Sequence, residues 1–225
     1  MINFLELNMA EIYFVRHGQA SFGAEDYDKL SLVGHRQTEL LGSRFKEIGL
    51  KFDKVVCGVM KRHKETLQQI KKNLDLPNTI FDNRLNELDY QQLENAYCSA
   101  FNTCPPTNSK EFRDFFPKLI SAWASNDLIG LDESYFDFNK RVNDAVNEHM
   151  LKTDRILMIS SGGPTALLVS RALNLNYTGT AEILNFTMNS SYSIFSELND
   201  QFTLLQYNCT PHLDGKKYSD LKTFI

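Results

Sequence analysis

Short apolar runs without polar alternation recur along the chain, and this pattern is typical of strands that are buried on both faces. Helical segments follow these runs, so the chain is built of repeated strand–helix units. Units of this kind form parallel sheets with right-handed crossovers. Three runs show the pattern most clearly: Ile12–Val15, Lys54–Gly58 and Arg155–Ile159.

The spacing of apolar residues predicts the helices that accompany these strands. Ser31 is a suitable N-cap for the first helix, and Gly49 follows that helix as a stop signal. Pro164 suits the beginning of the last helix. We predict four helices, over residues 31–48, 61–74, 133–152 and 164–173.

The final part of the chain alternates strand-like segments with turns. Asn199-Asp200 is typical of a turn between two strands. We expect these segments to complete the sheet, in part with antiparallel strands: Ile183–Phe186, Tyr192–Glu197 and Phe202–Tyr207.

Residues 90–131 have a different composition, rich in Phe, Asn and Ser, with Pro105-Pro106 and a helical stretch over Lys110–Ala124. They contain no strand-like run. We interpret this segment as an insertion that lies over the edge of the sheet as a cap. We expect its aromatic side chains to pack internally rather than to contact a substrate.

These elements predict an α/β fold, namely a three-layer sandwich with a mostly parallel central sheet flanked by helices and a helical cap insertion over 90–131. The length of 225 residues suits a single domain over 1–225 with a substantial core.

Charge and cysteine content restrict the classes of partner. The net charge of −4 offers no basic surface for nucleic acid, so an anionic ligand needs a local cationic pocket. The four cysteines show no metal-ligand spacing and suit free thiols in a reducing compartment. Because residues 1–9 lack a secretory signal and no apolar run is long enough to cross a membrane, we expect a cytoplasmic protein without a membrane partner. The sequence does not indicate an oligomeric state.

Polar residues collect where the predicted strands end. Arg16-His17-Gly18 ends the first strand, Arg62 follows the second, and Ser160–Gly163 follows the third, with Glu87 on a nearby loop. Parallel strands end at one edge of a sheet, so we expect these groups to meet there, where α/β sheets place their ligands.

These residue types suit phosphoryl transfer. Arginine donates two hydrogen bonds at once to phosphate oxygens and stays charged. Glycines at the start of a helix add backbone N–H groups and a dipole that favours an anion. A histidine with an unprotonated ring nitrogen can attack phosphorus, and a nearby carboxylic acid can protonate the leaving oxygen.

The same positions resemble the signature of the histidine phosphatase (phosphoglycerate mutase-like) superfamily. Its landmarks are matched, in order, by Arg16-His17-Gly18-Gln19, by the helix start Leu30–Gln37, by Arg62 with Thr66, and by Glu87. The resemblance covers most of the chain, and the order of the landmarks is far more specific than any single motif.

The resemblance implies that His17 accepts the phosphoryl group as phosphohistidine, that Arg16 and Arg62 clamp the phosphate, and that Glu87 protonates the leaving group and then activates water. It implies no metal and no other cofactor, and a phosphorylated small molecule or phosphopeptide as substrate. We take five further residues as candidates for substrate binding: Gln19, Ser21, Ser161, Gly162 and His63.

One position departs from the family pattern. The superfamily has a second histidine before the glycine pair, and this chain has Ser161, which cannot carry positive charge. Loss of one charged contact to the transition state corresponds to roughly a 100- to 1000-fold slower reaction. We hypothesise that His63, beside Arg62, supplies the missing group, whereas His212 is a weaker candidate.

Three functions follow from this pattern. The first is a metal-independent phosphomonoester phosphatase. A phosphoglycerate mutase is the alternative within the same chemistry, but a mutase needs more cations in its cap than Lys110, Arg113 and Lys118. The third is a catalytically weak phosphate-binding or regulatory protein, which Ser161 favours.

Overall fold

The computed structural model describes residues 10–21, 28–150 and 155–224. Residues 1–9, on which the expectation about a secretory signal rests, lie outside this range. The described residues form one six-stranded sheet: β1 Glu11–Arg16, β2 Lys54–Cys57, β3 Thr79–Phe81, β4 Arg155–Ser160, β5 Tyr192–Leu198 and β6 Gln201–Cys209.

Seven α-helices occur in the described part of the chain, together with short 3-10 helices at Asn83–Leu85, Pro211–Leu213 and Lys216–Leu221. The α-helices are α1 Leu32–Glu47, α2 Lys61–Lys71, α3 Tyr90–Phe101, α4 Ser109–Ala124, α5 Tyr135–His149, α6 Gly162–Leu173 and α7 Tyr177–Phe186. Ser31 caps α1 as predicted, since its side chain accepts a hydrogen bond from the Gly34 N–H.

The strand order across the sheet is β3-β2-β4-β1-β5-β6. The first four of these strands are parallel, while β5 and β6 are antiparallel, joined by the turn at Asn199-Asp200, where both residues have positive φ. The central strands β1 and β4 pair in register from Glu11 with Arg155 to Arg16 with Ser160. This confirms the α/β class with a mostly parallel sheet.

Alternate residues of the central strands face two separate cores, which makes the sheet the middle layer of three. Tyr13 and Val15 pack with Leu41, Phe45 and the apolar residues of α2 on one face. The opposite face of the same strands packs against the cap, α5 and α6. Because both faces are covered, these strands carry no polar alternation.

Residues 90–131 fold as two helices, α3 and α4, and not only the predicted stretch over Lys110–Ala124. Phe116, Leu119 and Trp123 of α4 are buried in the core that also contains Phe14 of β1. Phe112 and Phe115 pack at the border of this core. The aromatic residues of the cap therefore pack internally, as predicted.

Several predicted elements differ from the structure: the helix predicted over 61–74 ends at Lys71, and the helix predicted from Pro164 begins at Gly162. Ile183–Phe186 is not a strand but the end of α7, which the Asn176 side chain caps by accepting from the Gly179 N–H. An apolar run of this length does not distinguish a strand from a buried helix, and here the preceding cap decides. The helix predicted over 133–152 ends at His149, and residues 151–154 lie outside the described part.

Candidate active site

The candidate site lies at the carboxyl ends of three adjacent strands. Beyond β1, the His17 N–H donates to the Ser160 carbonyl of β4 at 2.9 Å. Beyond β2, the Gly58 N–H donates to the Ile159 carbonyl, also at 2.9 Å. These bonds align the residues that follow the strands, and α2 and α6 begin immediately afterwards. The sheet therefore brings the predicted strand-end groups together.

His17 is held in one tautomer by its two neighbours. Arg62 Nε, which is always a donor, lies 3.1 Å from His17 Nε2, so Nε2 presents its lone pair. His17 Nδ1 lies 2.7 Å from the Gly18 carbonyl and carries the ring hydrogen. Burial, reinforced by the positive charges of Arg62 and Arg16, holds the pKa of His17 well below its ordinary value. The ring is therefore neutral, with Nε2 unprotonated.

Arg62 is buried and links His17 to an acidic residue on the opposite side. Its Nη1 donates to Asp28 Oδ1 at 2.7 Å, and Asp28 Oδ2 accepts from the Lys61 N–H at the start of α2. This contact orients the guanidinium against His17. No sequence pattern indicated Asp28, because an isolated aspartate in a loop is most often solvated.

Arg16 lies beside the start of α6. Its Nη1 donates to the carbonyls of Thr187 and Phe224, the latter at 2.6 Å. A Cβ on Gly162 would lie 3.4 Å from Arg16 Nε, so the guanidinium packs directly against this glycine. Arg62 thus contacts the His17 ring directly, while Arg16 acts on His17 through its charge and packs against Gly162.

Ser161 and His63 form a fully buried pair. Ser161 Oγ lies 2.6 Å from His63 Nε2, and among the described residues Ser161 makes no side-chain bond to cap α6. A Cβ on Gly58 would lie 2.2 Å from His63 Nδ1, so only glycine leaves room for this ring. The rings of His63 and His17 are 5.7 Å apart between centroids. His63 therefore contacts Ser161 directly, and its role as the substitute for the missing second histidine stays a prediction.

His63 is also neutral, because burial, followed by the charge of Arg62, holds its pKa well below the ordinary value. A neutral imidazole has one N–H. His63 Nδ1 has no hydrogen-bond partner among the described residues, and a buried N–H without an acceptor is rare. The ring hydrogen is therefore assigned to Nε2, which donates to Ser161 Oγ and leaves the serine hydroxyl hydrogen for another acceptor.

Glu87 approaches the site from the loop after β3. Its two carboxylate oxygens lie 3.0 and 3.2 Å from the Gly163 nitrogen, which donates to them at the start of α6. A Cβ on Gly163 would lie 2.2 Å from Glu87 Oε1, so the second glycine of the pair is needed for this approach. The predicted acid and the predicted glycine turn are therefore in direct contact.

Gln19 and Ser21 make hydrogen bonds that hold the chain after His17. The Gln19 side chain accepts from Ser31 Oγ at 2.8 Å, and the backbone N–H of Gln19 donates to Gln37 Oε1. The Ser21 N–H donates to the Lys29 carbonyl. The Gln19 contacts fix the segment that follows His17 against the start of α1, and the Ser21 contact fixes it against the chain that precedes α1. Their role in lining the pocket stays a prediction.

His212 lies in a different place from His63. Its Nε2 is 2.8 Å from Ser190 Oγ, and the Ser190 N–H donates to the His17 carbonyl at 3.0 Å. Burial lowers the pKa of His212 to about 3. His212 therefore supports the backbone of His17 and does not replace the missing second histidine.

Three buried neutral histidines predict a steep loss of stability in mild acid. In the unfolded chain His17, His63 and His212 take up protons near their ordinary pKa of 6.5, whereas in the folded chain their pKa values are lower. Below about pH 6.5 the unfolded state binds more protons, so the free energy of unfolding falls as the pH falls, by up to about 1.4 kcal/mol per pH unit for each histidine. Urea denaturation at pH 7, 6 and 5 measures this slope.

His212→Gln is the matched variant for that experiment, since it removes one of the three titrations without touching the His17 ring. We expect its pH slope to be about one third shallower. Asp82, whose pKa is lowered to about 2 by its bonds to Arg84 and His149 despite burial, acts only at lower pH. Stability that stays constant between pH 7 and 5 would contradict the neutral assignment.

A buried histidine with an unprotonated Nε2, two arginines and a helix start are groups that suit a phosphoryl-transfer site on an α/β sheet. The histidine phosphatase superfamily (branch 1) model matches residues 12–210. The chain belongs to this superfamily.

Named relatives agree with this assignment. Over 175 residues the chain is 26% identical to a probable phosphoglycerate mutase GpmB of Shigella dysenteriae serotype 1, a match that covers 74% of this chain and 76% of the relative. Over 66 residues it is 41% identical to the mitochondrial serine/threonine-protein phosphatase Pgam5 of Drosophila sechellia, covering 28% of this chain and 23% of that protein.

Solved structures share the fold. A phosphoserine phosphatase from Entamoeba histolytica, crystallised with phosphoserine, superposes with a TM-score of 0.63 at 17% identity, covering 92% of this chain and all of that chain. A putative alpha-ribazole-5'-P phosphatase from Escherichia coli gives a TM-score of 0.63 at 20% identity, with coverage of 89% and 97%. None of the helices in the described part of the chain is long and apolar enough to cross a membrane.

Proposed function

We propose that the chain is a phosphomonoester phosphatase that works through a phosphohistidine at His17. One observation carries the proposal. His17 is neutral and presents Nε2 as a lone pair to the Arg62 guanidinium, while its Nδ1 is held by the Gly18 carbonyl. This is the state that a histidine nucleophile requires next to a group that binds phosphate.

The proposed reaction has two steps. His17 Nε2 attacks phosphorus, the bond from phosphorus to the ester oxygen breaks, and protonated Glu87 gives its proton to the leaving oxygen. Glu87 then takes a proton from water, the water oxygen attacks phosphorus, and the bond to Nε2 breaks to release inorganic phosphate. Arg16 and Arg62 bind the equatorial oxygens through both steps. Side chains carry each proton and charge, so we propose no metal or other cofactor.

Binding of phosphate must also rearrange one contact. Because Arg62 Nε donates directly to His17 Nε2, the lone pair is engaged before substrate arrives. We propose that a phosphate oxygen takes over this Arg62 donor, while Asp28 keeps the guanidinium in place through Nη1. The exchange replaces one hydrogen bond of a charged donor by another and frees Nε2 for attack.

Exposure of the cap cations favours hydrolysis over mutase chemistry. Lys110, Arg113 and Lys118 are all exposed on α4, whose buried side is apolar. They are therefore poorly placed to bind a second acidic group of a substrate. Structural relatives include enzymes described as phosphoserine and alpha-ribazole-5'-P phosphatases, which supports a phosphorylated small molecule or phosphopeptide as substrate.

Product analysis tests the proposal. Purified protein is incubated with p-nitrophenyl phosphate and, separately, with 3-phosphoglycerate. We expect release of inorganic phosphate from p-nitrophenyl phosphate. Isomerisation of 3-phosphoglycerate without phosphate release would identify a mutase. Binding of inorganic phosphate without turnover of either compound would identify the catalytically weak binding protein that the uncharged Ser161 favours.

The His63–Ser161 pair predicts a specific mutational pattern. If the pair supplies the missing phosphate contact, His63→Ala lowers kcat on p-nitrophenyl phosphate about as much as Arg62→Ala does, by roughly 100-fold. His63→Gln keeps a donor near the position of Nε2 and should retain most activity. Steady-state kinetics of the three variants measure this. A nearly silent His63→Ala would refute the hypothesis.

A further inference from the structure

The loop that carries Glu87 depends on side chains for its backbone hydrogen bonds. Residues 84–87 have four consecutive carbonyls that no helix or strand ladder pairs, and buried acceptors of this kind need partners. Ser160 Oγ donates to the Leu85 carbonyl at 2.6 Å. The three other carbonyls, of Arg84, Asn86 and Glu87, all accept from a single side chain on α5, Arg141.

The Arg141 guanidinium binds the loop on one side and Glu133 on the other. Its Nη1 donates to the Arg84 and Asn86 carbonyls at 2.7 and 2.8 Å, and its Nη2 lies 3.3 Å from the Glu87 carbonyl. On the other side Glu133 accepts from Nε and Nη2 at 2.5 and 3.0 Å. The bidentate pair with Glu133 holds the guanidinium plane, so its remaining N–H groups are aimed at the loop.

Packing restricts the same guanidinium further. Its central carbon lies 4.6 Å from the centre of the Phe138 ring, and Phe138 packs against Trp123 of the cap. Trp123 Nε1 donates in turn to the Glu133 carbonyl. Arg141 is thus oriented by both an ion pair and an aromatic face before it reaches the loop.

Placement of the Glu87 carboxylate follows from these contacts. Arg141 fixes the Glu87 carbonyl, and the Gly163 N–H fixes the carboxylate at the other end of the residue. A proton donor must lie within hydrogen-bond reach of the leaving oxygen, and a displacement of about 1 Å can slow a reaction about 100-fold.

We propose that Arg141 is a positioning residue for the reaction, which sets the place of the Glu87 acid by binding the three carbonyls of its loop, with Glu133 orienting the guanidinium. This inference rests on the proposed phosphatase function for its kinetic consequence. Its structural consequence, an ordered loop over residues 84–87, does not depend on that function.

The kinetic test compares leaving groups. Nitrophenolate is stable as an anion and departs from p-nitrophenyl phosphate without a proton, whereas the alkoxide of β-glycerophosphate needs one. Arg141→Met keeps the aliphatic stem over Phe138 and removes all the donors. We expect its first-turnover rate to fall about 100-fold on β-glycerophosphate and only a few-fold on p-nitrophenyl phosphate. Arg141→Lys, with one donor group, should fall between.

Arg171→Met is the matched control. Arg171 also lies over an aromatic ring, 4.2 Å from the centre of Phe202, but it binds Asn143 and Asn147 instead of the Glu87 loop. It should leave the ratio of the two rates unchanged. In a Glu87→Gln background, Arg141→Met should not lower the first-turnover rate on β-glycerophosphate any further relative to that on p-nitrophenyl phosphate. The reason is that the proton that Arg141 helps to position is already absent. An equal loss on both substrates, or additive losses in the double variant, would overturn the proposal.

Amide hydrogen exchange provides a readout that needs no turnover. Arg141→Met should increase exchange at residues 86–88 selectively, while Arg171→Met should not. If wild type shows no turnover that depends on His17, the proposed function fails. The exchange result still decides whether Arg141 orders the loop over residues 84–87. Unchanged exchange in Arg141→Met would overturn the inference whether or not the chain is active.

Discussion

Replacement of His17 by asparagine should abolish turnover of p-nitrophenyl phosphate, with kcat lower by about 10⁴-fold or more. The reason is that no covalent intermediate can form without the His17 ring. Water would then have to attack the substrate directly, without the nucleophile that His17 Nε2 provides in the wild type. Asparagine keeps an amide N–H near the position of Nδ1, so the bond to the Gly18 carbonyl can persist. The fold should therefore survive the substitution.

Rapid-quench labelling measures the effect directly. Wild type mixed with 32P-labelled p-nitrophenyl phosphate should carry an acid-labile, base-stable label, as expected for a phosphorus–nitrogen bond, and His17→Asn should carry none. His35→Asn, on the partly exposed surface of α1, is a matched control that should label normally. Equal activity of wild type and His17→Asn would remove His17 from the mechanism.

Glu87→Gln should separate the two steps of the reaction. Glutamine retains a carbonyl oxygen that can accept from the Gly163 N–H, but it cannot transfer a proton. With β-glycerophosphate we expect the first turnover to slow by about 10²- to 10⁴-fold, the usual contribution of general acid catalysis. With p-nitrophenyl phosphate the first turnover should be largely preserved, because nitrophenolate leaves unprotonated.

The second step should then reveal the role of Glu87 in activating water. With p-nitrophenyl phosphate the variant should release a burst of nitrophenolate equal to the enzyme concentration, followed by slow turnover as phosphohistidine accumulates. Glu94→Gln on α3 is the control, since Glu94 accepts from the Tyr90 hydroxyl and lies outside the site. If Glu87→Gln lowers the first-turnover rate equally on both substrates and shows no burst, Glu87 is not the acid.

Local sequence signals predicted the central strands and several helix starts because they depend on short-range physics. Ile12–Val15 is apolar at every position, so it needs cover on both faces wherever it lies. Ser31 supplies a cap to its own helix. The strand prediction for Ile183–Phe186 is wrong because a short apolar run also suits a buried helix. The Asn176 cap starts α7, and packing of α7 against α6 and α4 keeps the run helical.

Long-range contacts limit what sequence could indicate about the site. His17 and Arg62 were predicted because each follows a predicted strand and the carboxyl ends of parallel strands meet, whereas Glu87 was predicted only from the resemblance to the family. Asp28 and Arg141 were missed because each acts through atoms that are distant in the chain, as in the bonds from Arg141 to carbonyls more than fifty residues away. A single charged residue on a helix or loop carries no local pattern that distinguishes such a role from solvation.

The sequence by itself determined the class of fold, the order of its landmarks and the types of residue at the strand ends, because apolar periodicity and capping are properties of neighbouring positions. Only the tertiary structure decided the chemical state of these residues. Burial and the adjacent arginines make His17 neutral, and the direction of the Arg62 donor leaves its lone pair on Nε2. The same packing turns Ser161 toward His63 instead of toward its helix, since Gly58 leaves room for the ring. Distances and electric fields between remote segments set these outcomes, and they exist only once the sheet has assembled.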